Sequence, residues 1–275
     1  MNYQANYLQQ INPPYFLIKC NLYYFPQSLE QITKNNTKMK NLISNKKGVL
    51  MAILIMFFTV QVNYAQTSRE TKDVKNFHEL SVSNSFRVEL KVGNTESLEI
   101  EIDERYADDV IAEVRGGRLE IRLRSTRSNK RMRESPVAYL TVKSLDAIDA
   151  SGAVTIRSED ILKSDKLDIN LSGASVLYLS MDIQELYLET SGACVISFEG
   201  KAKEQTVKIS GATTYKAFDL ESEIGDIRVG GASSARVSVS EQLDVRASGA
   251  SSVRYKGRPS LNSDASGASS IKSSN

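Results

Sequence analysis

The sequence contains no tryptophan, one histidine and only two cysteines in 275 residues. So few Cys and His residues exclude a Cys/His metal site and a disulfide framework. A serine nucleophile would need a base, and His78, in a strand-like stretch before the repeats described below, is the one histidine that could act as one. The sequence therefore predicts no catalytic residue, no cofactor and no metal site.

Acidic residues are nearly absent from the first 65 residues, which hold six lysines and Glu30; without this segment the formal net charge changes from +2 to −3. A basic stretch begins at Met39, an apolar run covers residues 48–62, and a small residue follows at Ala65. This order is typical of a secretory signal peptide. An uncleaved N-terminal membrane anchor is the alternative.

We predict that the exported protein begins at Gln66 or within a few residues of it, because cleavage follows a small residue after the apolar run. Mass spectrometry of the mature protein checks this. Recovery of a chain that retains residues 39–65 would contradict the prediction. No cysteine that could carry a lipid follows the apolar run near this position.

The tripeptide Ser-Gly-Ala recurs through the second half of the chain, once as Gly-Gly-Ala. Its glycines are spaced by 18 to 21 residues, and a fixed period near 20 residues indicates a solenoid. The glycines are Gly152, Gly173, Gly192, Gly211, Gly231, Gly249 and Gly267.

Apolar and polar residues alternate on both sides of each tripeptide, as in Leu167, Ile169 and Leu171 before Gly173. A period of two predicts strands with one buried face. Each repeat is therefore predicted to hold two strands joined at a Ser-Gly-Ala corner, with a looser third segment such as "SMDIQE" closing the coil. Glycine supplies the backbone angles or the close approach that such a corner needs. Cys194 lies where other repeats have Ser or Thr, so we predict a small internal ladder residue rather than a reactive thiol.

These patterns predict an all-β fold, a single-stranded parallel β-helix or β-solenoid with coils of 18–21 residues. Residues 1–38 are predicted to be a non-native or disordered extension, 39–65 a signal peptide, and 66–275 a single β-solenoid domain. Within that domain, 77–148 are interpreted as irregular first coils and 149–275 as regular repeats. The last coil is polar, which protects an open sheet edge from further pairing.

The order of motifs resembles the auto-transporter adhesin head GIN domain family of exported bacterial proteins, especially those of the Bacteroidetes group. The motifs are "FHELSVSNSFRVELKVG", "GGRLEIRL" and "PVAYLTVKSLDAIDASGA", followed by the tandem Ser-Gly-Ala coils, and the resemblance covers roughly residues 75–272. It implies a right-handed parallel β-helix in the envelope or on the cell surface, and it brings no catalytic residues.

We expect a non-catalytic, adhesin-like binding module of the periplasm or cell surface. Its expected partner is an acidic glycan, lipopolysaccharide or another envelope protein, with no nucleic acid and no membrane span in the mature chain. The alternatives are a self-assembling structural protein of the envelope and a β-helical polysaccharide lyase or hydrolase. A clustered set of acids with a base or calcium would favour the enzyme, and the acids are scattered along the sequence.

The outward position six residues after the first residue of each corner becomes basic in the last four coils, at Lys216, Arg236, Arg254 and Lys272. In earlier coils the same position holds Arg157, Tyr178 and Ser197. In-register coils would bring these residues within about 4.8 Å of their neighbours. A second basic set lies two residues before the corners, at Lys208, Arg228 and Arg246, near Asp226 and Asp244. Both sets are candidate polyanion-binding residues, and a solvated basic face is the alternative.

Overall fold

The computed structural model describes residues 67–124, 132 and 134–274, so the predicted N-terminal extension and signal peptide lie outside the described residues. All the described residues belong to one compact unit. One 3₁₀ helix, Glu104–Asp109, follows the fourth strand. The strands are β1 (Thr67–Lys72), β2 (Glu79–Asn84), β3 (Arg87–Val92), β4 (Ser97–Asp103), β5 (Val110–Arg115), β6 (Arg118–Leu123), β7 (Val137–Val142), β8 (Ala147–Gly152), β9 (Thr155–Gly173), β10 (Val176–Gly192), β11 (Val195–Gly211), β12 (Thr214–Val229), β13 (Ser234–Ala247), β14 (Ser252–Lys256), β15 (Ser260–Ala265) and β16 (Ser270–Ser273).

Strands β9 to β13 are successive coils of a parallel β-solenoid, which confirms the predicted fold class. Each runs for 14 to 19 residues from one corner towards the next. The alternating apolar residues stack in register inside the coils because side chains along a strand point to opposite faces. One such internal column consists of Ile148, Ile169, Leu188, Val207, Ile227 and Val245.

In the coils from β9 to β13 the third segment is also part of a paired strand, so the prediction of a loose connection there is wrong. In "SMDIQE", Met181 pairs in parallel with Leu162 and Gly200, and Met181 and Ile183 are buried. Burial of these apolar side chains requires that their backbone groups be hydrogen-bonded, and pairing with adjacent coils satisfies them. Length differences between coils appear as register shifts, for example between Ala217 and Glu221.

The N-terminal strands stack in an order that differs from the chain order. Strand β2 pairs in parallel with β6 on one side and β8 on the other, and β3 pairs likewise with β7 and β9. Beyond them, β4 pairs antiparallel with β7 and β1, and β5 pairs antiparallel with β6. The parallel stack therefore ends in antiparallel strands at this end.

The C-terminal coil, formed by β15 and β16, is polar. All six residues of β15 are exposed, including Leu261 at 41%. The last coil that contributes a fully buried side chain is the preceding one, through Val253. Small polar residues at a terminal coil limit the apolar surface that remains open to solvent.

Polar side chains form a connected group inside the middle coils. The hydroxyl of Tyr215 donates to Gln205 Oε1 at 3.1 Å, and Gln205 Nε2 donates to Ser222 Oγ at 2.8 Å. Tyr215 also packs edge-on against Phe198, with ring centroids 5.8 Å apart. Burial raises the pKa of Tyr215 well above its usual value. Each buried polar group in this set thus has a partner, as interior groups require.

Candidate polyanion-binding surface

The corners set the register of every outward column. From the second corner onward, each corner alanine donates its backbone N–H to the carbonyl of a glycine one coil earlier, as Ala193 does to Gly173 at 2.8 Å, and Ala153 of the first corner donates to Asn84. At Gly192 φ is +132°, and a Cβ atom would lie 2.2 Å from the Gly173 carbonyl oxygen. This close approach requires glycine. All seven repeat glycines have positive φ, namely Gly152, Gly173, Gly192, Gly211, Gly231, Gly249 and Gly267.

Two further glycines meet the same requirement at a second bend, eight residues after a corner glycine. At Gly200 and Gly257 φ is +103°, and a Cβ atom would lie within about 2.1 Å of a carbonyl oxygen of the preceding coil. The tripeptide repeat does not reveal these two glycines, because other coils have different residues at this position. Their spacing from Gly192 and Gly249 was the available signal.

A column of small polar side chains lines the inside of the corners. The hydroxyls of Thr213 and Ser233 donate to the carbonyls of Gly192 and Gly211, at 3.4 and 3.2 Å. Cys194 occupies the same column, with its Sγ 3.8 Å from the Gly173 carbonyl oxygen, and is 1% exposed. The prediction of an internal ladder residue is confirmed for Cys194. The column is Ser175, Cys194, Thr213, Ser233, Ser251 and Ser269.

Four exposed cations lie side by side on adjacent strands of one face. Lys216 pairs with Arg236, Arg236 with Arg254, and Arg254 with Lys272. We call these four residues the first basic column. Neighbouring members are about 4.8 Å apart along the solenoid axis. None of them forms an ion pair with any residue that the structure describes.

The same line of residues changes character towards the N-terminal end. Ser197 is the register partner of Lys216, Tyr178 is the partner of Ser197, and Arg157 follows. The guanidinium of Arg157 lies 4.9 Å from the Tyr178 ring centroid, a distance typical of a cation–π contact. The predicted seven positions are therefore in one register, and only the last four form an unbroken run of cations.

Another outward column of this solenoid alternates in sign. Lys163 pairs with Asp182, Asp182 with Lys201, and Lys201 with Glu221. Opposite charges on neighbouring strands attract, whereas like charges repel. Neighbouring charges therefore attract in this alternating column and repel in the first basic column.

The other predicted set, Lys208, Arg228 and Arg246, is also in register, and we call it the second basic column. Acids lie at both ends of this column, where Lys208 pairs with Glu189 and Arg246 pairs with Asp264.

Contacts within the strands engage part of the second basic column. Arg228 forms a 2.8 Å ion pair with Asp226. Lys208 donates to the Tyr187 hydroxyl at 2.7 Å, and this hydrogen bond raises the pKa of Lys208. Hydrogen bonds from Gln242 and Asn262 lower the pKa of Asp244, with a smaller contribution from Arg246. The second column is thus more neutralised than the first.

The one histidine, His78, does not contact a serine hydroxyl among the described residues. His78 Nδ1 lies 3.5 Å from Asp146 Oδ2, and the Ser164 hydroxyl donates to the other oxygen of the same carboxylate. A nucleophilic serine would instead bond directly to the histidine. Among the described residues no group of three or more His, Cys, Asp or Glu side chains could hold a metal ion.

The fold and this surface define a parallel β-solenoid with a basic column on its C-terminal coils. The chain belongs to the family described as "Putative auto-transporter adhesin, head GIN domain", whose model matches residues 76–259. This confirms the family expected from the sequence motifs. No protein of curated function matches the chain.

Several solved structures share the fold. A putative adhesin from Bacteroides fragilis is 19% identical, with a TM-score of 0.67, and the match covers 76% of this chain and 98% of that chain. A putative adhesin from Parabacteroides merdae is 16% identical, with a TM-score of 0.61 and coverage of 76% and 97%. A putative lipid binding protein from Parabacteroides distasonis is 18% identical, with a TM-score of 0.62 and the same coverage. At these sequence identities the structural similarity shows that the fold is shared, and no more.

Proposed function

We propose that this protein is a non-catalytic binding protein of the bacterial envelope or cell surface that binds anionic carbohydrate through the first basic column. The observation that carries the proposal is the register of Lys216, Arg236, Arg254 and Lys272, four exposed cations without an ion pair among the described residues. Acidic polysaccharide and the phosphorylated sugars of lipopolysaccharide share this ligand chemistry.

The electrostatic repulsion within the first basic column supports a binding role. Four like charges on adjacent strands repel each other, and the neighbouring pairs of opposite sign from Lys163 to Glu221 show that this solenoid can avoid such repulsion. A ligand with regularly spaced anions removes the repulsion when it lies along the solenoid axis. The repulsion between the cations therefore destabilises the free protein, and a ligand that binds only the folded protein offsets this destabilisation.

Separate observations support an envelope or surface location. The family is described as "Putative auto-transporter adhesin, head GIN domain", and solved structures with the same fold are described as a putative adhesin and a putative lipid binding protein. The signal peptide predicted over 39–65 would direct the chain out of the cytoplasm. In the part of the chain that the structure describes, no helix is long and apolar enough to cross a membrane. A surface or periplasmic protein would meet both carbohydrate ligands.

Removing two charges from the first basic column tests the proposal. Arg236→Gln with Arg254→Gln should weaken binding to heparin or lipopolysaccharide about tenfold, equivalent to about 1.4 kcal/mol. Wild-type affinity should also fall as salt rises, because exposed charges are screened over about 8–10 Å at physiological ionic strength. Surface plasmon resonance at low and moderate salt measures both effects, and the heparin and lipopolysaccharide arms distinguish the two sources.

The matched control is Lys163→Gln with Lys201→Gln, which removes the same net charge from the alternating column. It should change affinity less than twofold. An equal loss in both double variants would mean that only net charge matters. No binding by the wild type to any anionic carbohydrate would remove the proposal.

A further inference from the structure

A concavity of about 410 Å³ lies where the second basic column meets the corners. Its volume is within the range of about 300–1,000 Å³ found for ligand pockets. Glu189 and Asp264 contribute to the lining at the two ends of the column. The central lining residues are Lys208, Arg228, Arg246, Ser210, Gly230 and Ser248.

Gly230 lies in the lining of this concavity, and a concavity over corners with serine, lined by Ser151, Ser172 and Ser191, is smaller, at about 270 Å³. Gly230 stands where the other six corners have serine, in the Gly-Gly-Ala copy of the tripeptide. Its φ is outside the left-handed region, and a Cβ atom would make ordinary contacts, 3.4 Å from Ser248 Oγ and 3.7 Å from the Ile209 carbonyl oxygen. The adjacent Gly231 differs, with φ of +74° and a Cβ position 2.3 Å from the Gly211 carbonyl oxygen. The backbone thus requires glycine at 231 and would accept serine at 230.

The missing side chain leaves space in the middle of three cations. Arg228 uses one guanidinium nitrogen on Asp226, and Lys208 uses its ammonium group on Tyr187. A guanidinium has five N–H donors and an ammonium has three, so both residues keep donors for a ligand. The lining therefore has free cationic donors beside its serine hydroxyls and its carboxylates.

The spare cationic donors and the charge of the lining narrow the class of ligand. Three cations face two acids of the lining, Glu189 and Asp264, and Asp226 pairs with Arg228, so these groups together carry no net charge. A single carboxylate can still accept hydrogen bonds from the spare donors, because Arg side chains bind carboxylates in a bidentate geometry. The acids and serines can in turn bond to ring hydroxyls. A dianionic phosphate would add two negative charges to a lining without a positive excess.

We propose that the concavity at Gly230 binds one carboxylate-bearing sugar unit, a uronic acid, at a site separate from the first basic column. The proposal rests on the proposed function, because it assumes that the protein meets anionic carbohydrate. Glycine in place of serine at one corner leaves more room at the site, and the register of Lys208, Arg228 and Arg246 supplies its cationic donors.

Titration of the protein with glucuronate, followed by NMR amide shifts, tests the proposal. We expect shifts at Gly230 and Ser248, and we expect Gly230→Ser to weaken glucuronate binding at least about fivefold. The same substitution should keep or raise the unfolding midpoint, because glycine replacement at an unstrained position restricts the unfolded chain. If affinity falls while the unfolding midpoint is kept, the serine side chain that occupies the concavity is the cause of the lost affinity.

Two comparisons separate this site from the first basic column. Arg236→Gln with Arg254→Gln should leave glucuronate affinity unchanged while weakening heparin binding. Equal glucuronate affinity in wild type and Gly230→Ser would overturn the inference, as would glucose or glucose 6-phosphate binding as tightly as glucuronate. Heparin binding through the first basic column without any glucuronate binding would overturn this inference alone, whereas absence of both would also remove the proposed function.

Discussion

Gly192→Val should lower the free energy of unfolding by more than about 2 kcal/mol. A side chain at the positive φ of this corner costs about 1–3 kcal/mol. The new Cβ atom would also lie 2.2 Å from the Gly173 carbonyl oxygen, which accepts the backbone hydrogen bond from Ala193. Relief of that overlap moves the two coils apart and weakens the bond, whose loss costs about 1 kcal/mol more.

Ser197→Val is the matched control, because it introduces the same side chain in the same coil. Ser197 lies on the outer face of β11, between the buried Ile196 and Phe198. A β-branched residue is suited to an outward strand position, so the change should stay within about 0.5 kcal/mol. Urea denaturation followed by circular dichroism compares the two variants. Coinciding midpoints would show that the corner tolerates a side chain.

The regular coils could be predicted from sequence because each one repeats the same local requirements. The alternation around Ile169 fixes the buried face, and the tripeptide fixes where the strand bends. The order of the N-terminal strands could not be predicted in this way. The position of β2 between β6 and β8 depends on contacts between residues about 40 to 70 positions apart, and both neighbours have similar apolar patterns.

The first basic column could be located by counting from the corners because the irregularities of the coils lie beyond it. The register shifts fall between Tyr178 and Ser180, and between Ser197 and Glu199, immediately after the column position in each coil. Up to that point every coil has the same length from its corner. The concavity at Gly230 could not be predicted, since it depends on the packing of three adjacent coils.

Alkaline pH should lower the free energy of unfolding through the buried Tyr215. Its hydroxyl lies inside the solenoid and donates to Gln205, and burial raises its pKa well above the ordinary value of about 10. Above pH 10 the unfolded chain releases this proton while the folded protein keeps it. The folded state then binds more protons than the unfolded state, so stability falls as pH rises, by about 1.4 kcal/mol per pH unit.

Tyr215→Phe removes the titrating group and should make the alkaline loss of stability shallower. At pH 8 the variant should be less stable than wild type by about 1–3 kcal/mol, because Gln205 loses its buried donor. Exposed lysines titrate equally in both proteins, so they cancel in the comparison. The difference between the two free energies of unfolding should shrink by about 1.4 kcal/mol from pH 8 to pH 11. Urea denaturation at both pH values measures it, and a constant difference would show that Tyr215 ionises in the folded protein as readily as in the unfolded chain.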